Sequence, residues 1–394
     1  MRKTIRVGLV GTGFAAGFHY AGLQRVQGIG VEVVGAYSRS ADNRSAFCEP
    51  RGIKAFDDFA TLLDQVDVVD IVTPGYKHEA YAVAAAEAGR HVIIEKPLTG
   101  FFGPPGAGAD WRGDVHPKAD MLAGAMDSVR RIDAATQTGG VKLMYAENWV
   151  YAPTVQKEVE ILKATGGQIL WMQAEESHSG SHSPAYGDWR LAGGGSLMGK
   201  ACHPLSAVLY LKREEGRANG GRPIRPAAVS ARTHLLTGMP HYRDEGHIRT
   251  KYHDVENFAA LHVIFEDGTV ADVFASDIVI GGVHNWIEVF ANNHRMRCNI
   301  NPVDACVLYN PDETKLKDVY ISEKIGTKQG WSFPGPDEDH MQGYPQEIQD
   351  FMECVAFDRE PLSDLELAAD TVSVMYAAYL SSERKGSEVE APLV

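Results

Sequence analysis

A chain of 394 residues with 44% apolar and 23% charged side chains holds enough apolar material for two cores. Its formal net charge of −14 weighs against a nucleic-acid or anionic-membrane partner, because both select clustered Lys and Arg. Five scattered cysteines without a CxxC pair give no disulfide framework and point to a reducing, cytoplasmic setting.

Ile5–Val10 is a short apolar run, so a strand starts by about Ile5 and leaves no room for a leader; no run of 18 apolar residues follows anywhere. The strand opens directly into Gly11-Thr12-Gly13-Phe14-Ala15-Ala16. Gly11 permits a tight turn, Gly13 lets backbone approach a pyrophosphate, and Ala16 allows close helix–strand contact. We therefore assign Gly11, Thr12, Gly13, Phe14 and Ala15 to a dinucleotide, with an ordinary glycine turn as the alternative. The second strand, Val31–Tyr37, ends in Ser38 and Arg39 where an acidic residue would accept the ribose hydroxyls of NAD. Arg39 can hold a 2′-phosphate or stack on adenine, which leans toward NADP; a solvated arginine is the alternative. The cofactor is left as NAD or NADP.

Val66–Val72 predicts a third strand, with Thr73 and Pro74 at the same sheet edge as Gly11 and a helix from His78 to Ala88. The strand His91–Ile94 then delivers Glu95-Lys96-Pro97 to that edge, where strand ends of a parallel sheet face the ligand. Thr73, Pro74, His78, Glu95 and Lys96 join the cofactor assignments. Residues 100–117 form a Gly/Pro-rich loop that reads equally as a lid or as a surface insertion. A helix over Lys118–Thr138 and a strand over Val141–Tyr145 complete this part. Glu147, Asn148 and Trp149 follow at the crevice edge as candidate substrate contacts, with helix capping the alternative for Asn148. The boundary falls near 150, separating 1–150 from 151–394.

Gln168–Glu176 alternates as a strand and brings Glu175, Glu176, His178 and His182 together. No HExxH spacing is present, so no metal is assigned; hydrogen bonding to a polyol suits these residues, with Tyr186 or Trp189 packing a sugar face. Gly193-Gly194-Gly195 lead into a helix carrying Lys200, Cys202 and His203 through Leu211, with His203 about two turns in. A buried structural histidine is the alternative there. Strands are predicted at Val229–Leu236, Phe258–Phe265, Val270–Ser276, Trp286–Ala291 and His294–Asn299, with short ones at Val307–Tyr309 and Lys317–Ile321. Helices over Tyr344–Ala356 and Asp364–Ser382 are expected to return to the junction.

Taken together, GxGxxA with His19, Thr73-Pro74 with His78, Glu95-Lys96-Pro97 and the GGGxL stretch ending at His203 resemble the Gfo/Idh/MocA oxidoreductases over nearly the whole chain. The resemblance implies an α/β architecture: an N-terminal Rossmann dinucleotide-binding domain, then a C-terminal α/β domain with a large, mostly antiparallel open sheet for substrate and oligomer contacts. It implies a homodimer or homotetramer acting on a small-molecule sugar, glycoside or polyol. It makes Lys96 the lysine that touches the substrate hydroxyl and His203 the acid–base residue. The family's Asp four residues before that histidine is Gly199 here; Glu147, Glu175, Glu176 or Asp188 are candidates to compensate.

The leading reading is NAD(P)-dependent interconversion of a secondary alcohol and a ketone on a sugar, glycoside or cyclitol. Desolvation and a positive nicotinamide are expected to lower the Lys96 pKa. A redox-neutral lyase, epimerase or glycoside-cleaving enzyme is the first alternative, and a non-catalytic nucleotide- and sugar-binding protein the second.

Overall fold

Short, nearly continuous apolar runs such as Val68–Ile71 suit strands covered on both faces, which is how parallel sheets are built. The computed structural model describes residues 4–108, 110–181 and 183–394. Six strands assemble in parallel: β1 (Ile5–Val10), β2 (Val31–Tyr37), β3 (Lys54–Phe56), β4 (Val68–Ile71), β5 (His91–Glu95) and β6 (Leu143–Ala146). Their spatial order is β3-β2-β1-β4-β5-β6. The order reverses between β1 and β4, so the helices leaving those strands diverge and open a crevice at the carboxyl edge. Strand β3 has only three residues and no apolar period, and it is absent from the pattern read above.

The second sheet holds β7 (Ile169–Ser177), β8 (Pro226–His234), β9 (Phe258–Phe265), β10 (Val270–Ser276), β11 (His284–Ala291) and β12 (Arg295–Asn301). Beyond them lie a two-stranded ribbon, β13 (Leu308–Asn310) with β14 (Gly330–Ser332), and a final short strand, β15 (Val389–Glu390). The seven-stranded order is β12-β11-β7-β10-β9-β8-β15. The β7–β10 pair is parallel and the other pairs are antiparallel. Helices Pro153–Thr165, Cys202–Gly220 and Leu365–Glu383 cover one face. The other face carries the Trp171–Phe290 stack, with centroids 4.6 Å apart.

Three local expectations change. Lys317–Ile321 is not a strand; it follows a 3-10 turn at Glu313–Leu316, and β13 pairs instead with β14. The helix expected through His203 is broken: Ser196–Gly199 is one short turn, and a new helix starts at Cys202. His203 is thus in the first turn rather than two turns in. The described residues of the loop 100–117 form a strut tied to the C-terminal half of the chain. The Tyr376 hydroxyl accepts from Phe101 N–H (2.6 Å), and the Asp254 carboxylate accepts from Gly113 N–H (2.6 Å). Lys118 Nζ donates to the carbonyls of Gly113, Asp114 and His116 at 2.7–3.2 Å. Helix Tyr344–Phe357 packs on helix Phe14–Gln24, and Leu365–Glu383 packs on Lys118–Gly139 and β8.

Candidate active site

Where β1 and β4 part, a cavity of about 440 Å³ is lined by Gly11, Thr12, Gly13, Arg39, Thr73 and Pro74 among others. Gly11 has φ +113°, and a Cβ there would meet the Val72 carbonyl oxygen at 2.7 Å, so the turn requires glycine. Around Gly13 the space is open to 4 Å, and no side chain caps the helix it starts, leaving first-turn N–H groups for an anion. Thr73 Oγ1 is buried without a protein partner. These features fit a dinucleotide. Ser38 lies beside Thr12 (Oγ–Oγ1 3.1 Å), and Arg39 reaches Tyr76 (3.5 Å). Phe14, Ala15, His78, Glu95 and Lys96 do not line this cavity.

Lys96 sits directly after β5, and its Nζ donates to the Gly199 carbonyl at 3.3 Å. The glycine run holds that partner close. Glu256 accepts from Gly195 N–H (3.2 Å) and Leu197 N–H (2.9 Å), and a Cβ on Gly195 would overlap the Glu256 carbonyl oxygen. Burial alone would lower the Lys96 pKa. Its interactions with the ionisable groups around it, Cys202, Tyr186, Glu176 and Glu95, outweigh burial and raise it well above the ordinary value. In the protein alone the direction is upward, opposite to the lowering expected with a positive nicotinamide beside it.

His203 is buried, and its Nδ1 lies 2.6 Å from Glu147 Oε1. Glu147 follows β6, is fully buried, and caps the short helix Asn148–Tyr151 through Trp149 N–H. Thus the carboxylate that Gly199 cannot supply arrives from the first sheet. Burial, reinforced by Lys96, pulls the His203 pKa down to about 4; burial drives the Glu147 carboxyl well above the usual range. Both partners are therefore pushed toward neutral forms. On the opposite side of the ring, Glu176 Oε2 lies 3.9 Å from Nε2 and has no hydrogen-bond partner. Cys202 completes a group with Glu147 and His203 whose ligand-type atoms lie within 4.8 Å of one another. Burial pushes its thiol up, which disfavours the thiolate a cation would need.

Beneath Lys96, Glu95 Oε2 accepts the Lys96 backbone N–H at 2.9 Å, and Oε1 faces His19 Nε2 at 3.3 Å. His19 Nδ1 faces both Asp70 oxygens at 2.9 and 3.0 Å. Tyr344 stacks on Phe18, and burial, with Glu95 nearby, pushes its hydroxyl well above the ordinary range against the opposing effect of Lys96.

A family model described as "Oxidoreductase family, NAD-binding Rossmann fold" (GFO_IDH_MocA) matches residues 5–102. Levoglucosan dehydrogenase from Pseudarthrobacter phenanthrenivorans is 34% identical over 302 residues, spanning 73% of this chain and 67% of that protein. The chain belongs to the Gfo/Idh/MocA oxidoreductase family. UDP-N-acetylglucosamine 3-dehydrogenase from Acidithiobacillus ferrooxidans is 34% identical over 98 residues; that match covers 24% of this chain and 29% of the relative. In fold, the chain resembles the structure of GenD2 from gentamicin A biosynthesis in complex with NAD. The TM-score is 0.79 at 22% identity, over 99% of this chain and 97% of that one.

Within this Gfo/Idh/MocA fold several assigned residues do other work. His78 is buried, with its nitrogens on the carbonyls of Pro97 (2.9 Å) and Thr73 (2.8 Å); it clamps two loops together. Trp189 is 2% exposed and donates to the Phe101 carbonyl at 3.0 Å, so it anchors the strut and offers no sugar face. Asn148 donates to the Gln342 carbonyl (2.8 Å), and Trp149 is buried against His203 with rings 6.0 Å apart and 19° from parallel. Both are buried and engaged by protein partners. Glu175 pairs with His284 (3.1 Å), and Asp188 caps its own helical turn. His178 Nδ1 accepts Gly180 N–H at 2.9 Å. Tyr186 is 39% exposed, and its ring lies 3.3 Å from where a Cβ on Gly199 would stand. His182 lies outside the described residues. Asp70 and Tyr344 beside Glu95 were not foreseen; an acidic residue inside an apolar strand was the available signal for Asp70.

Proposed function

We propose that this protein reversibly oxidises a secondary alcohol on a sugar, glycoside or cyclitol with NAD or NADP. The observation carrying this reading is the meeting of Lys96, His203 and Glu147 at the carboxyl edge of the sheet that bears the dinucleotide cavity. When bound, the dinucleotide supplies the hydride-exchanging carbon. In oxidation, which starts from ionised Glu147, His203 Nε2 takes the hydroxyl proton while Nδ1 passes its proton to Glu147 Oε1; the neutral pair that burial favours is the state this leaves and the one from which ketone reduction starts. Ketone reduction runs these transfers backwards. The Lys96 ammonium donates to the oxygen on which charge develops. Glu176 Oε2, buried and unpartnered, suits a neighbouring hydroxyl, and Tyr186 is open to pack a ring face. The relatives named for levoglucosan and UDP-N-acetylglucosamine support a sugar-like substrate.

The test is reduction of NAD and NADP, followed by absorbance, over a panel of sugars, glycosides and inositols. Lys96→Met should abolish turnover and leave cofactor affinity unchanged; turnover near the parent rate would refute the assignment. Product without net cofactor reduction would instead favour the redox-neutral alternative. Saturable cofactor binding with no product across the panel would favour a binding protein. We also infer two domains meeting near residue 150. Pairing of copies through the open face of the seven-stranded sheet would give a homodimer or homotetramer, which sedimentation would measure. All five cysteines are free and four are buried, which suits a cytoplasmic setting. Among the described residues no helix is long and apolar enough to cross a membrane.

A further inference from the structure

We propose that His19 is a positioning residue for the reaction: an imidazolium clamped between Asp70 and Glu95 that keeps Glu95 ionised beneath Lys96. This rests on the reading of Lys96 as the substrate-contacting lysine. The argument is one of donors and acceptors. His19 is 1% exposed, and both ring nitrogens face carboxylates, Nδ1 toward Asp70 and Nε2 toward Glu95. A neutral imidazole carries one N–H and would turn a lone pair toward one of the two carboxylates. Against two ionised carboxylates only the imidazolium satisfies both nitrogens.

The charges then alternate: Asp70 negative, His19 positive, Glu95 negative, Lys96 positive. The set sums to zero, which is what a buried cluster needs. Burial opposes the charge on His19, but Asp70 and Glu95 outweigh it and raise its pKa well above the usual value. Burial likewise opposes the charge on Glu95, yet His19 and Lys96 lower it to about 2. One more titratable group faces His19, Glu347 on the helix Tyr344–Phe357. Burial drives its carboxyl well up, which weighs against a further negative charge beside His19. Asp70 comes from β4, Glu95 from β5 and His19 from the helix that begins at the glycine turn. The clamp therefore ties the helix facing the dinucleotide to the strand end that carries Lys96. Removing the positive charge leaves Glu95 facing a buried, uncompensated carboxylate, and burial then favours its neutral form. The contact to Lys96 N–H weakens, and Lys96 loses a fixed counter-charge.

Two measurements on the full chain with bound cofactor test this. Imidazole ¹⁵N NMR, with the His19 signals assigned by their loss in His19→Gln, should show both nitrogens protonated at and above neutral pH. A neutral His19 would overturn the proposal whatever the substrate. Asp70→Asn should move the His19 titration to lower pH, and it serves if His19→Gln does not fold; an unmoved titration also overturns the proposal. Kinetically, His19→Gln should lower kcat about tenfold, a size common for coupled contacting groups, with cofactor affinity unchanged and a lower Tm, since a buried carboxylate loses its partner. In a Glu95→Gln background the same change should have no further effect, because its influence passes through Glu95. Additive losses would make His19 merely structural. If no panel substrate is turned over while NMR shows the imidazolium, the proposed function fails and the clamp stands.

Discussion

Glu147→Gln separates acid–base chemistry from folding. Glutamine matches the shape of Glu147 and can still accept the His203 Nδ1–H, now 2.6 Å from Oε1, but it cannot take the proton. His203 must then hold an extra proton as a buried imidazolium, in a site that lowers its pKa to about 4. At neutral pH that state is disfavoured by roughly three pH units, about 10³-fold or about 4 kcal/mol. The expected result is a kcat loss of that order with cofactor affinity unchanged. Stability should move the other way. The folded Glu147 pKa stands well above its ordinary 4.5, so its contribution to stability is full below 4.5 and is lost as pH rises through the folded value. Glutamine does not titrate, so the Tm of the variant should gain on the parent as pH rises from about 4.5 upward. Steady-state kinetics with an isolated cofactor-binding measurement, and thermal melts across pH, supply both readouts. A kcat near the parent value, or a variant that loses Tm relative to the parent as pH rises, would refute the reasoning.

Gly199→Asp restores the family's residue but puts its Cβ 3.3 Å from the Tyr186 ring, so it should raise substrate KM more than it lowers kcat; an improved KM would refute that packing argument. Trp189→Ala empties a buried indole site and unpins the strut, with an expected cost of about 3–5 kcal/mol in urea unfolding and faster proteolysis within 100–117. An unchanged midpoint would show that the strut is held elsewhere. Arg39→Ala should raise KM for NADP more than for NAD; equal changes would remove Arg39 from 2′-phosphate recognition.

The glycine turn, the strand ends and the Lys96 position were legible in the sequence because each depends on neighbours a few residues away. Gly11 needs its left-handed φ, and β5 needs an apolar run before Glu95 and Lys96. The partners of these residues were legible only as candidates, with Glu147 named beside Glu175, Glu176 and Asp188. Gly199 looked like a gap because the family pattern places a carboxylate four residues before His203. The helix restarts at Cys202, and the carboxylate that meets His203 stands 56 residues away. The Gly/Pro-rich 100–117 suggested mobility, yet Tyr376, Asp254 and Lys118 capture its backbone groups. Trp189 in a polar stretch suggested a sugar platform, and burial made it an anchor. The sequence by itself determined which groups stand at the carboxyl edge, since periodicity and turn chemistry are local. Only the tertiary structure decided what each group is paired with and how it is charged, because desolvation and long-range contact depend on how the two sheets meet.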